Sequence, residues 1–445
     1  MSHAIPLNPT RRTALRMAGF AAASLAAPSL VAPSLVASLA TPGIARAQTT
    51  ARLVVIGGGF GGATAARYAR INHPTLDVTL IEPRTRFITC PYGNLVLGGM
   101  RVPDQITFGY DGLRAHGVKI VHDMAAGIDP VAKTVRLAGG QTVAYDRLIV
   151  SPGIAIKWGA LEGYDEAASQ QMPHAWIPGD GSQLALLRRQ LEAMPDGGTV
   201  GFALPANPFR CPPGPYERIS MVASYLKKNK PKSKILALDA KEAFSKQGLF
   251  LDGWKALYGD MIEWVPSNKD GKVVRVEAAE KTFVTEFGTR HKVDVANVVP
   301  PQSAARIAFE FGLTDQSGWV PVNPATFEAK STPGIYVVGD ANNGTPMPKS
   351  GYIASNTSKH AVACAVASLR NEAPPEGVYF NTCYSHVGDE YGISVVGVYR
   401  ATDKGIVEVP NAGGVSPRGD LPEQRRLEAL YADAWYSSIT KDMFS

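Results

Sequence analysis

Beyond residue 51, short β-branched apolar runs alternate with longer stretches of helical composition. Arg52-Leu53-Val54-Val55-Ile56 has the continuous apolar character of a parallel strand buried on both faces. Ala63 to Arg70 follows with helical composition, and Val78-Thr79-Leu80-Ile81-Glu82 supplies a second strand. The buried-strand pattern returns at Gly198 to Leu204 and at Ile335 to Val338. Helices are predicted from Tyr216 onward and over Ser350 to Leu369, and a strand over Tyr391 to Val396. Pro266-Ser267-Asn268-Lys269-Asp270-Gly271 reads as a hairpin turn. Arg425 to Trp435 is amphipathic, but charged and short of long apolar side chains. This order predicts an α/β fold with parallel sheets.

The first 47 residues behave differently. They hold Arg11, Arg12, Arg16 and Arg46 and no acid, and Met17 to Ala45 is uncharged and rich in Ala, Ser and Leu. Ala45-Arg46-Ala47 has the small-x-small form of a cleavage site, and Thr10 to Arg16 resembles a twin-arginine signal. Residues 1–47 are therefore read as a signal peptide for twin-arginine export to the periplasm, a route taken by proteins already folded around a cofactor. Pro28 and Pro33 interrupt the stretch, which argues against a membrane span. Without this segment the chain keeps +2 of its formal +6, so no nucleic-acid-binding field is expected. The 445 residues, 45% of them hydrophobic, suffice for two or three domains. Four cysteines are too few for a disulfide scaffold and enough for a redox pair. The eight histidines form no cluster at metal-ligand spacing, and His360 and His386 are read as structural.

Gly57-Gly58-Gly59-Phe60-Gly61-Gly62 lies between the first strand and the first helix. Gly57, Gly59 and Gly62 occupy the three places of a dinucleotide fingerprint, serving the tight turn, the approach of backbone to a pyrophosphate, and close helix–strand packing. Glu82 ends the second strand, where a carboxylate can accept from ribose hydroxyls. A second element, Thr332-Pro333-Gly334-Ile335-Tyr336-Val337-Val338-Gly339-Asp340, resembles the late FAD motif of glutathione-reductase-like flavoproteins. That resemblance gives Gly339 and Asp340 a place near the ribitol and phosphates. The helix after Lys349 is expected to point its positive end at the flavin ring, with Lys349 beside it.

Such proteins carry a second glycine fingerprint in mid-chain for NAD(P)H. Here the strand Gly198 to Leu204 runs instead into Pro205-Ala206-Asn207-Pro208-Phe209-Arg210-Cys211-Pro212-Pro213-Gly214-Pro215. Proline lacks the N–H groups that cradle a pyrophosphate, so the fold is expected to persist without a nicotinamide site. Cys211 precedes a helix start, a position that lowers a thiol's pKa. Cys383 is placed in a short polar turn ahead of Tyr391 to Val396, and Cys364 in a helix core. Four cysteines allow three pairings, and composition does not choose among them.

Phe87-Ile88-Thr89-Cys90, Cys211-Pro212-Pro213-Gly214-Pro215-Tyr216-Glu217-Arg218 and Asn381-Thr382-Cys383-Tyr384-Ser385 resemble segments of the flavoprotein subunit of flavocytochrome c sulfide dehydrogenase. So do Met347-Pro348-Lys349-Ser350-Gly351-Tyr352 and the stretch from Ala434-Trp435-Tyr436 to Met443-Phe444. The resemblance implies FAD bound covalently through Cys90, a redox disulfide between Cys211 and Cys383, and Glu217 as a proton carrier. It further implies hydrosulfide as substrate and a separate c-type cytochrome subunit as partner in a heterodimer. The chain itself has no Cys-x-x-Cys-His, so no haem is expected in it. The expected fold is a two-dinucleotide-binding-domain flavoprotein with a parallel-sheet FAD domain, residues 48–157 and 286–375. A central nucleotide-type domain without an NAD site follows at 158–285, and a C-terminal α+β interface domain at 376–445. Competing readings are a periplasmic flavoprotein of the thiosulfate-oxidation system, a sulfide:quinone oxidoreductase, and a non-enzymatic exported electron-transfer or assembly flavoprotein.

Overall fold

A computed structural model describes residues 50–445; the segment read as a signal peptide, residues 1–47, lies outside the described residues. Arg52–Ile56 (β1) leads through the glycine turn into Phe60–Asn72 (α1), then Asp77–Ile81 (β2). The short helix Gly93–Leu97 (α2) follows the Cys90 loop. Lys119–Val121 (β3) and Arg147–Val150 (β4) continue the first sheet. The chain then builds a second parallel sheet from Thr199–Leu204 (β5), Lys234–Asp239 (β6), Ile262–Val265 (β7) and Val295–Val298 (β8), in the order β7-β6-β5-β8. Gly214–Asn229 (α3) follows β5, and Gln247–Tyr258 (α4) follows β6. Ile335–Val337 (β9) returns to the first sheet, completing the order β9-β4-β1-β2-β3.

The core of the first sheet is the apolar run read from the sequence: Leu53, Val55, Leu80, Leu148 and Val337 are fully buried. The helix Gly351–Leu369 (α5) lies against α1, with Gly61 facing Ser358 and Gly351 facing Phe60. Small side chains let the two helices approach closely. Thr64 Oγ1 bonds to Ser355 Oγ across the contact at 3.3 Å.

The C-terminal part is an antiparallel sheet of Val378–Gly388 (β10), Tyr391–Thr402 (β11), Gly405–Glu408 (β12) and Gly414–Val415 (β13). The final helix Pro422–Phe444 (α6) crosses it and reaches back to the first sheet. Asp442 there accepts from Tyr68 Oη and Lys359 Nζ, both at 2.7 Å. Phe444 stacks on Phe108 with ring centroids 5.2 Å apart. Among the described residues no helix is long and apolar enough to cross a membrane.

Two expectations change. β8 pairs with β5, so the return from the central sheet to the first comes after Val298, not at residue 286. The strand Val295 to Val298 is apolar but for Asn297, and nothing in that pattern distinguishes the two parallel sheets. The turn at 266–271 forms, with Gly271 N–H bonded to Pro266 O, but it joins β7 to a strand of a separate antiparallel ribbon rather than closing a hairpin.

Gly62 shows how tightly the first turn is built, because a Cβ there would sit 1.7 Å from Gly57 O. Gly62→Ala is expected to destabilise the fold by about 3 kcal/mol. Gly109→Ala, at a position with nothing within 4 Å of a new Cβ, is expected to cost less than about 0.5 kcal/mol. Denaturant unfolding of the two variants checks the contrast.

Candidate functional site

One cavity runs between the N-termini of α1 and α5 and is lined from every part of the described chain. At its first end the glycine turn is held from behind. Gly57 takes φ +94°, with a Cβ blocked by Ser151 O at 2.2 Å. Glu82 is buried and accepts the Gly58 N–H at 2.8 Å and the Arg84 N–H at 3.0 Å. Gly59 caps α1 without a side-chain bond, which leaves the first N–H groups of the helix available to an anion.

Gly339 and Asp340 form a tight turn after β9 and line the same cavity. Asp340 Oδ1 is buried and has no hydrogen-bond partner among the described residues. Burial raises the Asp340 carboxyl pKa, against the pull of Arg210 and Lys349. An unpaired buried acceptor is costly unless a ligand donates to it. The glycine cradle, the open helix end and this acceptor fit FAD, with Gly57 to Gly61 at its phosphates, Glu82 at a ribose and Asp340 at its polyol chain.

Lys349 is a correction. Its ammonium lies 3.7 Å from the centroid of the Trp319 ring and donates to Asp340 O at 2.8 Å and Asn342 O at 2.6 Å. The carbonyls of the tight turn draw it there, and it does not line the cavity. Burial lowers its pKa to about 8. What Lys349 contributes to the site is its own carbonyl, which accepts the Cys211 N–H at 2.7 Å.

Cys90, Cys211 and Cys383 all line this cavity. Cys90 sits in the loop before α2, pinned by Thr89 Oγ1, which shares a 2.7 Å hydrogen bond with Tyr436 Oη of α6. Cys211 adopts φ +58° at the end of the proline-rich segment that leaves β5. The segment that replaces a glycine turn thus delivers a thiol to the cavity. Cys383 lies within β10 opposite Val395, not in a turn as expected. The polar run Asn381 to His386 reads as a loop, but Tyr384, Ser385 and His386 line the cavity with Cys383 and Asn381 is buried against Ser350. Cys364 is buried in α5, its sulfur 3.3 Å from His360 Nε2 and outside the cavity.

All four cysteines are free thiols in this structure, so the expected Cys211–Cys383 bond is not formed here. The expected lowering of the Cys211 pKa is also overturned. Burial raises it, Cys90, Cys383 and Glu217 add to the rise, and only Arg210 opposes. Burial is the largest of these causes.

Glu217, in the first turn of α3, accepts from Asn94 Nδ2 at 2.8 Å and from the His386 N–H at 3.0 Å. It therefore ties α2, α3 and β10 together at the cavity wall. Arg218 is buried beside it, donating to Asn94 Oδ1 at 3.0 Å and to the carbonyls of His174 at 2.8 Å and Ala175 at 2.6 Å. Burial lowers its pKa to about 10. His386, read as structural, also lines the cavity, and among the described residues both its ring nitrogens are buried without partners. Its place two residues after Tyr384 in a polar strand was the available signal. Asn94 carried none, because its bonds to Glu217 and Arg218 join chain segments far apart in sequence. Among the described residues, no group of three or more His, Cys, Asp or Glu could hold a metal ion.

A dinucleotide cradle, a late Gly-Asp turn and cysteines facing one cavity define a flavoprotein oxidoreductase of the glutathione-reductase-like class. Family comparison agrees. Residues 51–173 match the pyridine nucleotide-disulphide oxidoreductase model. Residues 184–300 match the central domain of the flavoprotein chain of sulfide dehydrogenase (flavocytochrome c), and residues 375–444 match the flavin-binding domain of flavocytochrome c sulphide dehydrogenase. The sulfide dehydrogenase flavoprotein chain of Chlorobaculum thiosulfatiphilum is 57% identical over 47 residues, 11% of this chain and 98% of that sequence. The mitochondrial sulfide:quinone oxidoreductase of Mus musculus is 24% identical over 349 residues, 74% of this chain and 72% of that protein. The X-ray structure of sulfide:quinone oxidoreductase from Aquifex aeolicus superimposes with a TM-score of 0.67 at 19% identity, covering 88% of this chain and 92% of the other. The chain belongs to the family of flavocytochrome c sulfide dehydrogenase flavoprotein chains.

The buried histidines give a pH prediction. Burial holds His174 neutral, its pKa pushed down to about 3, with Arg218 and Arg210 adding to the shift. Burial also lowers His360 and His386. An unfolded histidine takes up its proton near pH 6.5, so below that pH the unfolded chain binds more protons. Stability is expected to fall as pH drops from 7 to 5, by at most about 1.4 kcal/mol per unit for each group. His174→Asn, which keeps an acceptor for the Trp176 N–H, is expected to flatten the slope in urea unfolding.

Proposed function

We propose that this chain is the flavin-bearing chain of an exported sulfide dehydrogenase. It oxidises hydrosulfide through the Cys211 and Cys383 pair and passes the electrons to a c-type cytochrome partner. The observation that carries this reading is that thiols from two distant segments line one cavity with the residues suited to FAD. In the oxidised form the two sulfurs are joined. Hydrosulfide attacks one of them, an S–S bond to the incoming sulfur forms, and the protein disulfide breaks. Its bonding pair leaves on the other cysteine as thiolate. Glu217, fixed by Asn94 and the His386 N–H, takes the proton that the new persulfide gives up. Removal of two electrons then recloses the pair and releases sulfur as zero-valent sulfur or polysulfide. FAD, when bound, supplies two-electron acceptance and single-electron return.

Cys90 is the residue to carry a thioether to the flavin, since its loop lines the cavity and α6 fixes its position. One face of the C-terminal sheet exposes Phe380 and Val396, a surface suited to a cytochrome subunit. Export to the periplasm rests on residues 1–47. The likeness to sulfide:quinone oxidoreductases favours a quinone as the second reading of the acceptor. Turnover with soluble cytochrome c or a short-chain quinone separates the two.

Anaerobic mixing of the holoprotein with sulfide is expected to bleach the flavin. Cys211→Ser and Cys383→Ser are each expected to slow bleaching by at least about a hundredfold. Bleaching that survives both substitutions overturns the disulfide route, and no bleaching in the unmodified protein favours the non-enzymatic reading. Mass measurement of the denatured mature chain is expected to find an added FAD that disappears in Cys90→Ala. An unmodified mass overturns the covalent link.

A further inference from the structure

Lys246 stands at the start of α4, in the left-handed conformation at φ +61°, and its side chain reaches out of the central part into the C-terminal sheet. It is 7% exposed. Its ammonium donates to Ser385 Oγ at 2.9 Å, to Cys383 O at 3.3 Å and to Ile393 O at 3.4 Å. Among the described residues it has no carboxylate partner within ion-pair reach. The two carboxylates nearest in its electrostatic surroundings are engaged elsewhere. Glu217 is taken by Asn94 and the His386 N–H. Glu428 is taken by Ser416 at 2.7 Å and 2.8 Å, by Ser394 at 3.1 Å and by Arg425 at 3.5 Å.

A buried ammonium bonded only to neutral oxygens lacks compensation for its charge. The group able to become an anion on the strand it grips is Cys383. We propose that Lys246 is the counter-ion of Cys383, a positioning residue that holds this sulfur as the thiolate when the cysteine pair is reduced. The proposal deepens the two-thiol reading of the site.

The surroundings of the two sulfurs support an unequal pair. Around Cys383 stand Lys246 from the α4 start, Asn381 on its own strand, Ser350 at the α5 cap, and Glu217 from α3. Cys211 and Tyr399 also face it. Burial raises the Cys383 pKa, and Lys246, Asn381 and Ser350 pull it down, with Glu217 opposing them. Cys211 has Arg210 alone pulling down, against burial, Cys90, Cys383 and Glu217. Lys246 itself is lowered to about 8 by burial, with Cys383, Glu217, Cys211 and Glu428 raising it. A negative sulfur beside it therefore also keeps the lysine charged.

The test is site-mapped alkylation of the reduced, flavin-loaded protein by iodoacetamide across a pH series, without sulfide. In the unmodified protein Cys383 is expected to react with a midpoint at least one pH unit below that of Cys211, by about the shift an adjacent opposite charge produces. Lys246→Met is expected to raise the Cys383 midpoint by about one unit, roughly a tenfold loss of rate at pH 7, and to leave Cys211 unmoved. Lys246→Arg is expected to keep the low midpoint. A Cys211 midpoint at or below that of Cys383 in the unmodified protein overturns the proposal without any variant. So does a Lys246→Met protein with intact flavin absorbance and unchanged Cys383 midpoint, or one in which both cysteines shift equally. Because alkylation needs no turnover, its outcome is independent of whether sulfide bleaches the flavin.

Discussion

The hydrogen bond from the Cys211 N–H to the Lys349 carbonyl, 2.7 Å long, joins two approaches to the same place. One is the proline-rich segment leaving β5; the other is the segment that enters α5. The bond ties Cys211, in its left-handed conformation, to the residue before the cap of a 19-residue helix. From the other side β10 brings Cys383, and its neighbour Asn381 accepts from Ser350 Oγ, the cap of that helix, at 2.6 Å. The start of α5 is therefore the point on which the cofactor cradle and both thiols converge. A non-glycine residue at positive φ stores strain that the surroundings must hold, a common feature of reactive sites.

Burial then decides the chemistry of the cavity wall. It raises the Cys211 and Cys383 thiols and the Asp340 carboxyl and lowers His386 and Arg218, and close to the wall it lowers Lys246 and Lys349. Arg218 on this wall, and Lys246 against the strand of Cys383, are buried cations bonded mainly to neutral oxygens. In such surroundings an anionic sulfur is costly unless a cation faces it, so the placement of these two residues governs where negative charge can rest. Glu217 is different in kind. Its two oxygens are occupied by Asn94 and the His386 N–H, which hold the strand of Cys383 against the helix that follows Cys211.

The fold was largely legible because the first dinucleotide motif is local: strand, glycines, helix and second strand lie within about thirty residues. Gly57, Gly59, Gly62, Glu82 and Asp340 stand where that reading expected. Cys90, Cys211 and Cys383 were found through their sequence contexts, and the structure lines one cavity with all three. What was not legible depends on long-range contact. The Asn, Thr, Tyr, Ser and His around Cys383 suggest a turn, yet they lie in a strand, with Tyr384, Ser385 and His386 at the cavity and Asn381 bonded to the cap of α5. Lys349 was placed by its position before α5, but backbone carbonyls of the preceding turn capture its ammonium. Lys246 has no motif at all; its partner strand begins more than a hundred residues later. The Cys211 pKa was misjudged because a helix end can be read locally and desolvation cannot.

The account stands on Cys211 and Cys383 being able to join across the cavity. Non-reducing peptide mapping of the air-oxidised holoprotein tests this most directly. The account predicts a linked pair of peptides carrying Cys211 and Cys383, with Cys364 still a free thiol. Two separate peptides with free Cys211 and Cys383, or either cysteine joined to a different partner, would contradict it.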